Sequence, residues 1–370
     1  MSEYTEKDCA HMARALQLAE RGRYTAHPNP VVGCVLVKDD TVVGEGWHER
    51  TGEAHAEVNA LEVAGDRARG SIVYVTLEPC AHHGRTPPCT VALIDAGVRE
   101  VIAAMQDPNA DVAGRGLRFL ADAGIEVRTG LMQNAAADLN PGFLKRVAAK
   151  LPFVRLKLAS SIDGCIAMTS GESQWITGPE ARADVQRLRA RSGAVMTGIG
   201  TVLADDPSLN VRAADIDTRG LQPIRVVLDS QLRMPLAAGM LALPGTTLVC
   251  CIGNPDTKPL QDANAEVMSF AAVDGHVDTH EVLLELAGRG VNEVLVEAGP
   301  GLAGHLLERD QVDELVIYQA PHIMGSQTMR LVETPSWSSL ADRKELNITD
   351  VRRVGNDMRI TATPKRQDEC

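Results

Sequence analysis

Two cysteines on one polar loop are the residues whose chemistry stands out first. The segment EPCAHHGRTPPC, residues 78–89, holds Cys80 and Cys89 with two histidines, an arginine and a Pro-Pro pair between them. Such a pair could form a disulfide, belong to a structural zinc site or contribute to a catalytic metal centre. Because the cytosol keeps thiols reduced, the compartment and the other ligands of the chain decide between these alternatives.

Upstream candidates for the same site are His55 and Glu57, in HAEVNAL at the predicted start of a helix. Side chains in a first turn lean toward the helix N-terminus, so His55 can meet both cysteines at a metal beyond that end. One imidazole nitrogen and two thiolates leave the fourth tetrahedral position open, which is the catalytic arrangement of zinc, whereas structural sites close all four. Cys89 directly precedes the predicted helix TVALIDAG, whose N-terminus favours a thiolate.

The order of these residues predicts an activity. H-x-E followed by P-C and a second cysteine is the signature of zinc-dependent nucleobase deaminases, in which the glutamate relays protons and is not a ligand. Glu57 has that position. An ordinary helix cap beside free core thiols is the alternative, but the succession of HAE, a buried strand and EPC favours a catalytic zinc.

A second candidate site lies at EAGPGLAG, residues 297–304. Gly299, Gly301 and Gly304 match G-x-G-x-x-G, after the predicted strand EVLVE and before the predicted helix HLLER. Such a turn brings backbone N–H groups and a helix N-terminus to a pyrophosphate. Its late position argues against a Rossmann fold, and a tight turn without a ligand is the alternative. The next strand offers no acidic residue for a ribose 2′-hydroxyl, which favours NADP over NAD.

Three basic residues of the second half also need an explanation. Arg189 and Arg212 could clamp a sugar phosphate, although Arg189 lies on a charged helix and could be simply solvated. Lys157 stands between two leucines on a strand that reads as buried, where a lysine is costly without a partner.

The elements that position these residues alternate between strands and helices, which predicts the α/β class. A helical start is followed by a hairpin, and we place a domain boundary near residue 150. Strands are predicted at 31–37, 41–47, 71–77, 98–105, 125–130, 153–159, 194–198, 224–230, 247–253, 265–270, 293–298 and 314–320, with a C-terminal hairpin around residues 356–357.

Composition limits the function classes. The 370 residues suffice for two domains, and the net charge of −12 argues against general nucleic-acid binding, which needs a basic face. The polar N-terminus resembles no signal peptide and no apolar run approaches a membrane span, so we expect a cytoplasmic protein with reduced thiols and no Cys80–Cys89 disulfide.

The chain departs from the usual deaminase pattern at one point. Eight residues separate its two cysteines, where two are usual. With this insert and TAHPNPVVG (residues 25–33), the chain resembles the bifunctional riboflavin-biosynthesis deaminase–reductase family nearly end to end. The second half carries the resemblance in LKLASSIDG, SGESQWITG and TGIGTVLADDPSLNVR, residues 156–164, 170–178 and 197–212.

The resemblance implies two domains and two reactions. Residues 1–150 would form a cytidine-deaminase-like three-layer α/β/α domain that deaminates 2,5-diamino-6-(5-phosphoribosylamino)pyrimidin-4-one with zinc. Residues 151–370 would form a dihydrofolate-reductase-like α/β domain that uses NADPH to reduce the ribosyl group of 5-amino-6-(5-phosphoribosylamino)uracil. We expect a phosphorylated small-molecule substrate and a homo-oligomer.

The resemblance also implies site residues. Asn29 and His48 would line the base pocket, and His82, His83 and Arg85 of the insert would help to bind the phosphoribosyl group, with solvated loop histidines as the alternative. Asp205, together with Lys157, is the candidate to polarise or protonate in the reductase. The implied NADPH contacts are Ala159, Trp175, Thr201, Asp205, Ser230, Gly299, Pro300, Gly301, Leu302, Ala303, Gly304 and His305. The implied substrate contacts are Ser173, Arg189, Leu209, Arg212 and Glu297.

Two other functions remain open at this point. A tRNA or nucleobase deaminase with an unrelated accessory domain would share the zinc residues but would need a basic groove. A zinc-stabilised interaction module would need a fourth protein ligand that closes the metal site.

Overall fold

The chain folds into two compact units, Met1–Lys150 and Leu151–Cys370. The structure is a computed structural model that describes residues 4–81, 88–109, 113–325, 328–335 and 338–365. No helix in these ranges is long and apolar enough to cross a membrane.

The first unit is built on a five-stranded sheet of order β2-β1-β3-β4-β5, in which β1 pairs antiparallel with β2 and β3 and the other pairs are parallel. Its elements are α1 (Glu6–Ala19), β1 (Gly33–Lys38), β2 (Thr41–Trp47), α2 (Ala56–Ala64), β3 (Ile72–Val75), α3 (Cys89–Ala96), β4 (Glu100–Ala103), α4 (Arg115–Asp122), β5 (Glu126–Thr129), α5 (Gln133–Leu139) and α6 (Pro141–Ala149).

Helices cover both faces of this sheet, because successive residues of each strand point to opposite sides. On one side, Leu36 and Val73 pack with residues of α2, α3 and α4. On the other, Val35 and Tyr74 pack with residues of α1 and α5. The predicted three-layer arrangement is therefore present.

Helix α2 lies very close to the hairpin that precedes it. A Cβ atom added at Gly46 would stand 2.4 Å from the Ala56 carbonyl oxygen, and one at Gly44 would stand 2.2 Å from that of Ala60. Real Cβ atoms do not approach so closely, so only glycine allows this spacing. The two glycines therefore allow α2 to pack closely against β2, and this packing positions the start of α2, where the H-x-E residues lie, relative to the sheet.

The second unit is built on a nine-stranded sheet of order β11-β10-β9-β8-β14-β6-β15-β18-β17, with two small two-stranded sheets, β12-β13 and β16-β7. Its elements are β6 (Phe153–Ser161), β7 (Cys165–Ala167), α7 (Pro179–Arg191), β8 (Ala194–Gly198), α8 (Ile199–Asp205), β9 (Ile224–Leu228), β10 (Thr247–Ile252), α9 (Lys258–Asp262), β11 (Ala265–Phe270), β12 (Ala272–Val273), β13 (His276–Val277), α10 (Thr279–Gly288), β14 (Glu293–Glu297), α11 (Pro300–Glu308), β15 (Glu314–Ala320), β16 (Met329–Arg330), β17 (Leu346–Val354) and β18 (Asp357–Pro364).

The seven strands from β11 to β15 in this order run parallel, and the C-terminal hairpin β17–β18 pairs antiparallel with β15. Both faces are again covered. Val296 packs with residues of α10 and α11, and Leu295 packs with residues of α7, α8 and α9. Because the carboxyl ends of parallel strands share one edge, the residues that follow β8, β9 and β14 meet there.

A fully buried cation holds three elements of this sheet together. The Arg155 guanidinium of β6 donates to Glu293 of β14 at 2.7 Å and also to Glu314 of β15. Arg191, at the end of α7, pairs with the same Glu293 at 3.0 Å. Burial alone would raise the pKa of Glu293, but Arg191 and Arg155 lower that pKa to about 2.

The predicted strands and main helices are present, with ends that differ by a residue or two. The glycine-rich segment differs more. The sequence predicts a turn before the helix, whereas α11 already begins at Pro300 with Gly299 as its N-cap. The physical reason is that proline suits a first helical position, where no N–H is needed. Gly301 and Gly304 therefore lie inside the helix.

Candidate functional site

His55, Cys80 and Cys89 form a compact group in the first unit. Their ligand atoms all lie within 4.8 Å of one another. The His55 Nδ1 atom is 3.6 Å from the Cys80 sulfur and 3.2 Å from the Cys89 sulfur. His55 is the N-cap of α2, Cys89 is the first residue of α3, and Cys80 lies on the loop after β3.

The distance from His55 Nδ1 to Cys80 fits a zinc ion, and the distance to Cys89 is slightly shorter than a tetrahedral site requires. With Zn–N near 2.0 Å and Zn–S near 2.3 Å, tetrahedral ligand atoms stand roughly 3.5–3.8 Å apart. One nitrogen and two sulfurs are also the donors that zinc prefers. Within the described ranges the group contains three ligands, which corresponds to the open arrangement of a catalytic site.

The backbone around the group stabilises negative charge on sulfur. The Cys89 N–H donates to the Cys80 sulfur at 3.3 Å. Hydrogen bonds from the Cys89 thiol and from His55 lower the pKa of Cys80, although burial opposes this shift. The Thr90 N–H and hydroxyl both donate to the Cys80 carbonyl at 3.2 Å, which fixes that residue.

Glu57 lies two residues from His55 and is 3% exposed. Burial raises the pKa of Glu57 to about 7, and its carboxyl group lies beside the Cys89 thiol. A carboxyl group whose pKa is near neutrality can both accept and return a proton at working pH. The structure thus places a buried carboxyl group with a raised pKa beside His55, Cys80 and Cys89.

Asn29 and His48 stand next to this group. The His48 ring meets the His55 ring edge-on, with centroids 5.3 Å apart. His48 Nδ1 lies 3.1 Å from the Ala54 carbonyl, so this nitrogen donates, and Nε2 accepts from the Asn29 amide at 3.1 Å. The Asn29 side-chain carbonyl oxygen makes no hydrogen bond with a described residue, so it can accept one from a ligand.

The segment that carries Asn29 is held by a distant residue. The Val31 N–H donates to the Asn140 side chain at 2.8 Å, and the Asn140 amide donates back to the Val31 carbonyl at 2.9 Å. Asn140 is the N-cap of α6. Sequence reasoning missed this contact, which spans 109 positions.

Glu78 is a second residue that sequence reasoning missed. Its buried carboxylate accepts from the backbone N–H groups of Asp107, Gly114 and Gly116 at 3.0, 2.9 and 2.8 Å. These bonds tie the start of the EPC segment to the loop before α4. The only signal in the sequence is an acidic residue directly before Pro-Cys.

In the second unit, Lys157, Glu297 and Arg189 form an electrostatic group. Lys157 and Glu297 are register neighbours on β6 and β14. Arg189 donates to both carboxylate oxygens of Glu297, at 2.6 and 3.0 Å, and to the Asn210 carbonyl at 3.1 Å. Arg189 is 7% exposed, so the solvated arginine considered above is wrong.

Burial lowers the pKa of Lys157, with Glu297 opposing this shift and Arg189 adding to it. Lys157 makes no hydrogen bond or ion pair with any residue that the structure describes. Arg212 is exposed and bonds to Ser208 at 2.6 Å, and Leu209 is buried with a φ of 48°. The backbone N–H of Arg212 donates to Gln186, one turn of α7 away from Arg189.

A cavity of about 640 Å³ opens at the carboxyl ends of β8, β9 and β14. Four of the predicted NADPH contacts line it: Ser230, Gly301, Leu302 and His305. Sequence reasoning missed the other lining residues, which include Gly198, Gly200, Gln231, Arg233, His276, Thr279 and Glu333.

Other predicted contacts lie elsewhere in the same unit. Ala303 is buried in the core, and a Cβ at Gly304 would stand 1.6 Å from the Glu333 carbonyl oxygen, so both face the interior.

The remaining predicted contacts lie on several elements. Asp205 is exposed at the end of α8, on which Thr201 also lies, and Ala159 follows Lys157 on the same face of β6. The Trp175 ring is 66% exposed under the Arg182 guanidinium, and Ser173 precedes it on the same segment. Gly299 and Pro300 begin α11. His82, His83 and Arg85 lie outside the described residues.

Fold and sites together define a class of protein. A zinc-binding deaminase unit with an H-x-E helix precedes an α/β unit whose glycine-rich helix opens onto a cavity of nucleotide size. Such a protein is an enzyme with two activities, a hydrolase and an oxidoreductase.

Comparison with known proteins agrees with this class. A family model described as the cytidine and deoxycytidylate deaminase zinc-binding region matches residues 5–105, and one described as the RibD C-terminal domain matches residues 152–360. The chain is 50% identical over 361 residues to the riboflavin biosynthesis protein RibD of Escherichia coli, covering 95% of this chain and 98% of that protein. It is 46% identical to the RibD of Haemophilus influenzae, and the match covers 99% of this chain and 100% of that protein.

Solved structures give the same result. Acinetobacter baumannii RibD, form 1, matches with a TM-score of 0.92 at 44% identity, covering 98% of this chain and 99% of that one. A Thermotoga maritima protein named diaminohydroxyphosphoribosylaminopyrimidine deaminase/5-amino-6-(5-phosphoribosylamino)uracil reductase matches with a TM-score of 0.84 at 32% identity, covering 97% and 99%.

The chain belongs to the RibD family of riboflavin biosynthesis proteins. It is a bifunctional deaminase and reductase of the riboflavin pathway, and its cofactors are zinc for the first domain and NADPH for the second. The predicted family, fold class, enzyme type and cofactors are confirmed. The hypothesis of a deaminase with an unrelated accessory domain is wrong, because the second half is the reductase domain of the same family.

Proposed function

We propose that residues 1–150 deaminate 2,5-diamino-6-(5-phosphoribosylamino)pyrimidin-4-one and that residues 151–370 then reduce 5-amino-6-(5-phosphoribosylamino)uracil to its ribitylamino product. The two activities named for the Thermotoga maritima relative support both reactions. The arrangement of His55, Cys80 and Cys89 beside the buried Glu57 is the observation that carries the proposal.

In the deaminase, His55, Cys80 and Cys89 hold the zinc. Zinc, when bound, supplies the Lewis acidity that makes water nucleophilic at neutral pH. Glu57 accepts a proton from the attacking water and delivers it to the departing amine. The water oxygen thus replaces nitrogen on the ring, and ammonia leaves. Asn29, whose free side-chain carbonyl oxygen is oriented by His48, accepts a hydrogen bond from an N–H group of the base.

His82 and Arg85, which belong to the sequence insert between the two cysteines, bind the phosphoribosyl group of this first substrate. A cationic side chain suits a phosphate through charge-assisted hydrogen bonds.

In the reductase, the nicotinamide supplies a hydride to C1′ of the opened ribosyl group when the cofactor is bound. Lys157, whose pKa is lowered by burial, donates the accompanying proton, and Asp205 polarises the acceptor. Ser173, Arg189, Leu209, Arg212 and Glu297 contact the substrate. The Glu297 carboxylate, which accepts from Arg189, opposes the lowering of the Lys157 pKa that burial causes. NADPH is held by Ala159, Trp175, Thr201, Ser230, Gly299, Pro300, Gly301, Leu302 and His305.

Product analysis tests the proposal directly. The purified protein is mixed with the diaminopyrimidine phosphoriboside, with and without NADPH, and the products are identified by mass. We expect the deaminated phosphoribosyl compound without NADPH, and with NADPH the same compound carrying two more hydrogens. Unchanged substrate in the zinc-loaded protein would contradict the first assignment, and no reduction of the supplied uracil compound would contradict the second.

The substrate of both reactions is a phosphorylated small molecule under this proposal. The cytoplasmic location and the homo-oligomer that the sequence suggests stay predictions. Sedimentation of the purified protein at several concentrations would measure the oligomeric state.

A further inference from the structure

We propose that Arg233 binds the 2′-phosphate of NADPH and so makes the second unit select NADPH over NADH. This inference rests on the proposed reductase function and adds the residue that sets its cofactor preference.

Arg233 stands on the side of the cavity where the far end of a dinucleotide would lie. The cavity is lined by Gly301 after β14, by Gly198 at the end of β8 and by Ser230 and Arg233 after β9. These strands are adjacent in the order β9-β8-β14. Neighbouring strands lie about 4.8 Å apart, so the residues after β14 and β9 are separated by about 10 Å. With the pyrophosphate near the glycine-rich helix, an adenosine ribose two strands away reaches the turn after β9.

Hydrogen bonds hold the turn that carries Arg233. The Met234 N–H donates to the buried Asp229 carboxylate at 2.8 Å, and the Leu232 N–H donates to the Asp229 carbonyl at 3.0 Å. The Ser230 hydroxyl accepts from the Val277 N–H at 3.1 Å. A fixed turn presents the arginine to a ligand without an ordering cost for the backbone.

The guanidinium is also available. Arg233 is exposed, and its side chain makes no hydrogen bond or ion pair with any described residue. It is the only lysine or arginine among the described residues that line the cavity. Burial, and then Arg309 and His276, lower the pKa of the lining residue His305, so the permanent positive charge in the cavity is that of Arg233.

The charges also differ between the two ends of the cavity. Glu333 is the acidic lining residue, and its carboxylate lies 3.7 Å from the Cβ position of Gly301, at the β14 end. Arg233 lies at the β9 end. A phosphate monoester carries nearly two charges and accepts bidentate hydrogen bonds from arginine. The β9 end therefore suits the 2′-phosphate, and NADH offers nothing there but a hydroxyl.

The test compares dissociation constants of the full-length protein by calorimetry for NADPH, NADH, 2′,5′-ADP and 5′-AMP. In Arg233→Gln we expect NADPH and 2′,5′-ADP to bind about 10- to 100-fold more weakly, since a charge-assisted hydrogen bond is lost. Affinity for NADH and 5′-AMP stays within twofold. We expect the NADPH affinity of Arg233→Lys, which keeps the charge without the bidentate geometry, to lie between those of the wild type and Arg233→Gln.

Arg187→Gln is the matched control, because Arg187 is an exposed arginine of α7 that pairs with Asp215 and does not line the cavity. Unchanged NADPH affinity in Arg233→Gln would overturn the inference while leaving the reductase function intact. An equal loss for NADH would overturn it too, since it would mean general damage to the cavity. A wild-type protein that binds neither dinucleotide would contradict the proposed function itself.

Discussion

At the scale of single residues, the three candidate zinc ligands come from separate positions in the sequence, and each is held by its own local contacts. His55 is the N-cap of α2, and Cys89 is the first residue of α3. Cys80 is held by hydrogen bonds from the backbone N–H groups of Cys89 and Thr90. The N-terminus of α3 also favours negative charge on the Cys80 sulfur, which accepts from the Cys89 N–H. The group is therefore preformed by the backbone.

Replacing Cys89 tests the ligand set. We expect the wild type to carry one zinc per chain and Cys89→Ser to lose most of it, because a serine hydroxyl is a poor substitute for a thiolate. Metal analysis after dialysis measures both. Cys34→Ser, at a buried cysteine outside the ligand group, is the control that should keep its zinc. Full retention in Cys89→Ser would show that the cation is held elsewhere.

Glu57→Gln separates the proton relay from the metal. The amide fills the same space but cannot accept a proton, so we expect zinc to stay while deamination falls about 10²- to 10⁴-fold. Rate measurements with the diaminopyrimidine substrate, together with metal analysis of the same sample, give both quantities. Reduction of the uracil compound should remain as in the wild type. Near-normal deamination would assign the relay to another group.

At the scale of elements, the glycine-rich helix contains two glycines with different surroundings. A Cβ at Gly301 would meet only the end of the Glu333 side chain, whereas one at Gly304 would overlap the Glu333 backbone. Gly301 lines the cavity, and Gly304 packs against the backbone of Glu333.

The two glycines therefore predict opposite results. We expect Gly301→Val to keep its unfolding temperature but to bind NADPH much more weakly, because the side chain occupies the path of the cofactor backbone. The deaminated, unreduced compound should then accumulate. Gly304→Val should unfold several degrees earlier. Thermal unfolding and NADPH titration distinguish the cases, and normal NADPH affinity in Gly301→Val would remove this helix from the cofactor site.

Glu78 links two further elements, the EPC segment and the loop before α4. We expect Glu78→Gln to weaken several of the backbone bonds to residues 107–116, since the amide carries only one acceptor oxygen. Zinc should then dissociate faster on addition of a chelator. Glu126→Gln, at an exposed position of β5, serves as the control. An unchanged dissociation rate in Glu78→Gln would mean that Cys80 is held without this anchor.

How far the sequence predicts the sites depends on the distance between partners. His55, Glu57, Cys80 and Cys89 could be found because zinc chemistry restricts residue type and order, and periodicity identifies the strand between them. Arg189 and Glu297 are 108 positions apart, and they meet because β14 lies next to β8 and β6. Periodicity does not specify strand order. Sequence reasoning did not find Arg233, Glu78 and Asn140 for the same reason, since their neighbours are also distant in sequence.

At the scale of the whole molecule, each unit carries its own core, and the larger one is also held by ion pairs. Arg155, Glu293, Glu314 and Arg191 connect β6, β14, β15 and α7 through side chains that are only 2% to 21% exposed. Removing one member leaves a buried charge without its partner, which typically costs about 3–5 kcal/mol.

This network gives the second unit a defined response to acid. Because the folded-state pKa of Glu293 is about 2 and its ordinary value is 4.5, its stabilising effect is complete above 4.5 and is lost as the pH falls toward 2. We expect Glu293→Gln to lower the free energy of unfolding at pH 7, and we expect the difference in this free energy between variant and wild type to be smaller at pH 3. Urea unfolding of both proteins at both pH values measures this difference. A gap that is constant with pH would show that Glu293 acts through packing alone.

The two hydrogen bonds between Asn140 and Val31 determine where the chain can be shortened without loss of the first site. Helix α6 lies beyond residues 5–105, the range of the zinc-binding region, yet its N-cap side chain holds the segment between Asn29 and β1. A shortened gene product ending before residue 140 would keep all three candidate zinc ligands but would lose the contact that holds the Asn29 segment. Such a fragment should bind metal normally and recognise its pyrimidine poorly. Anyone engineering a stand-alone deaminase from this chain should therefore place the stop codon after α6, at residue 150 or beyond.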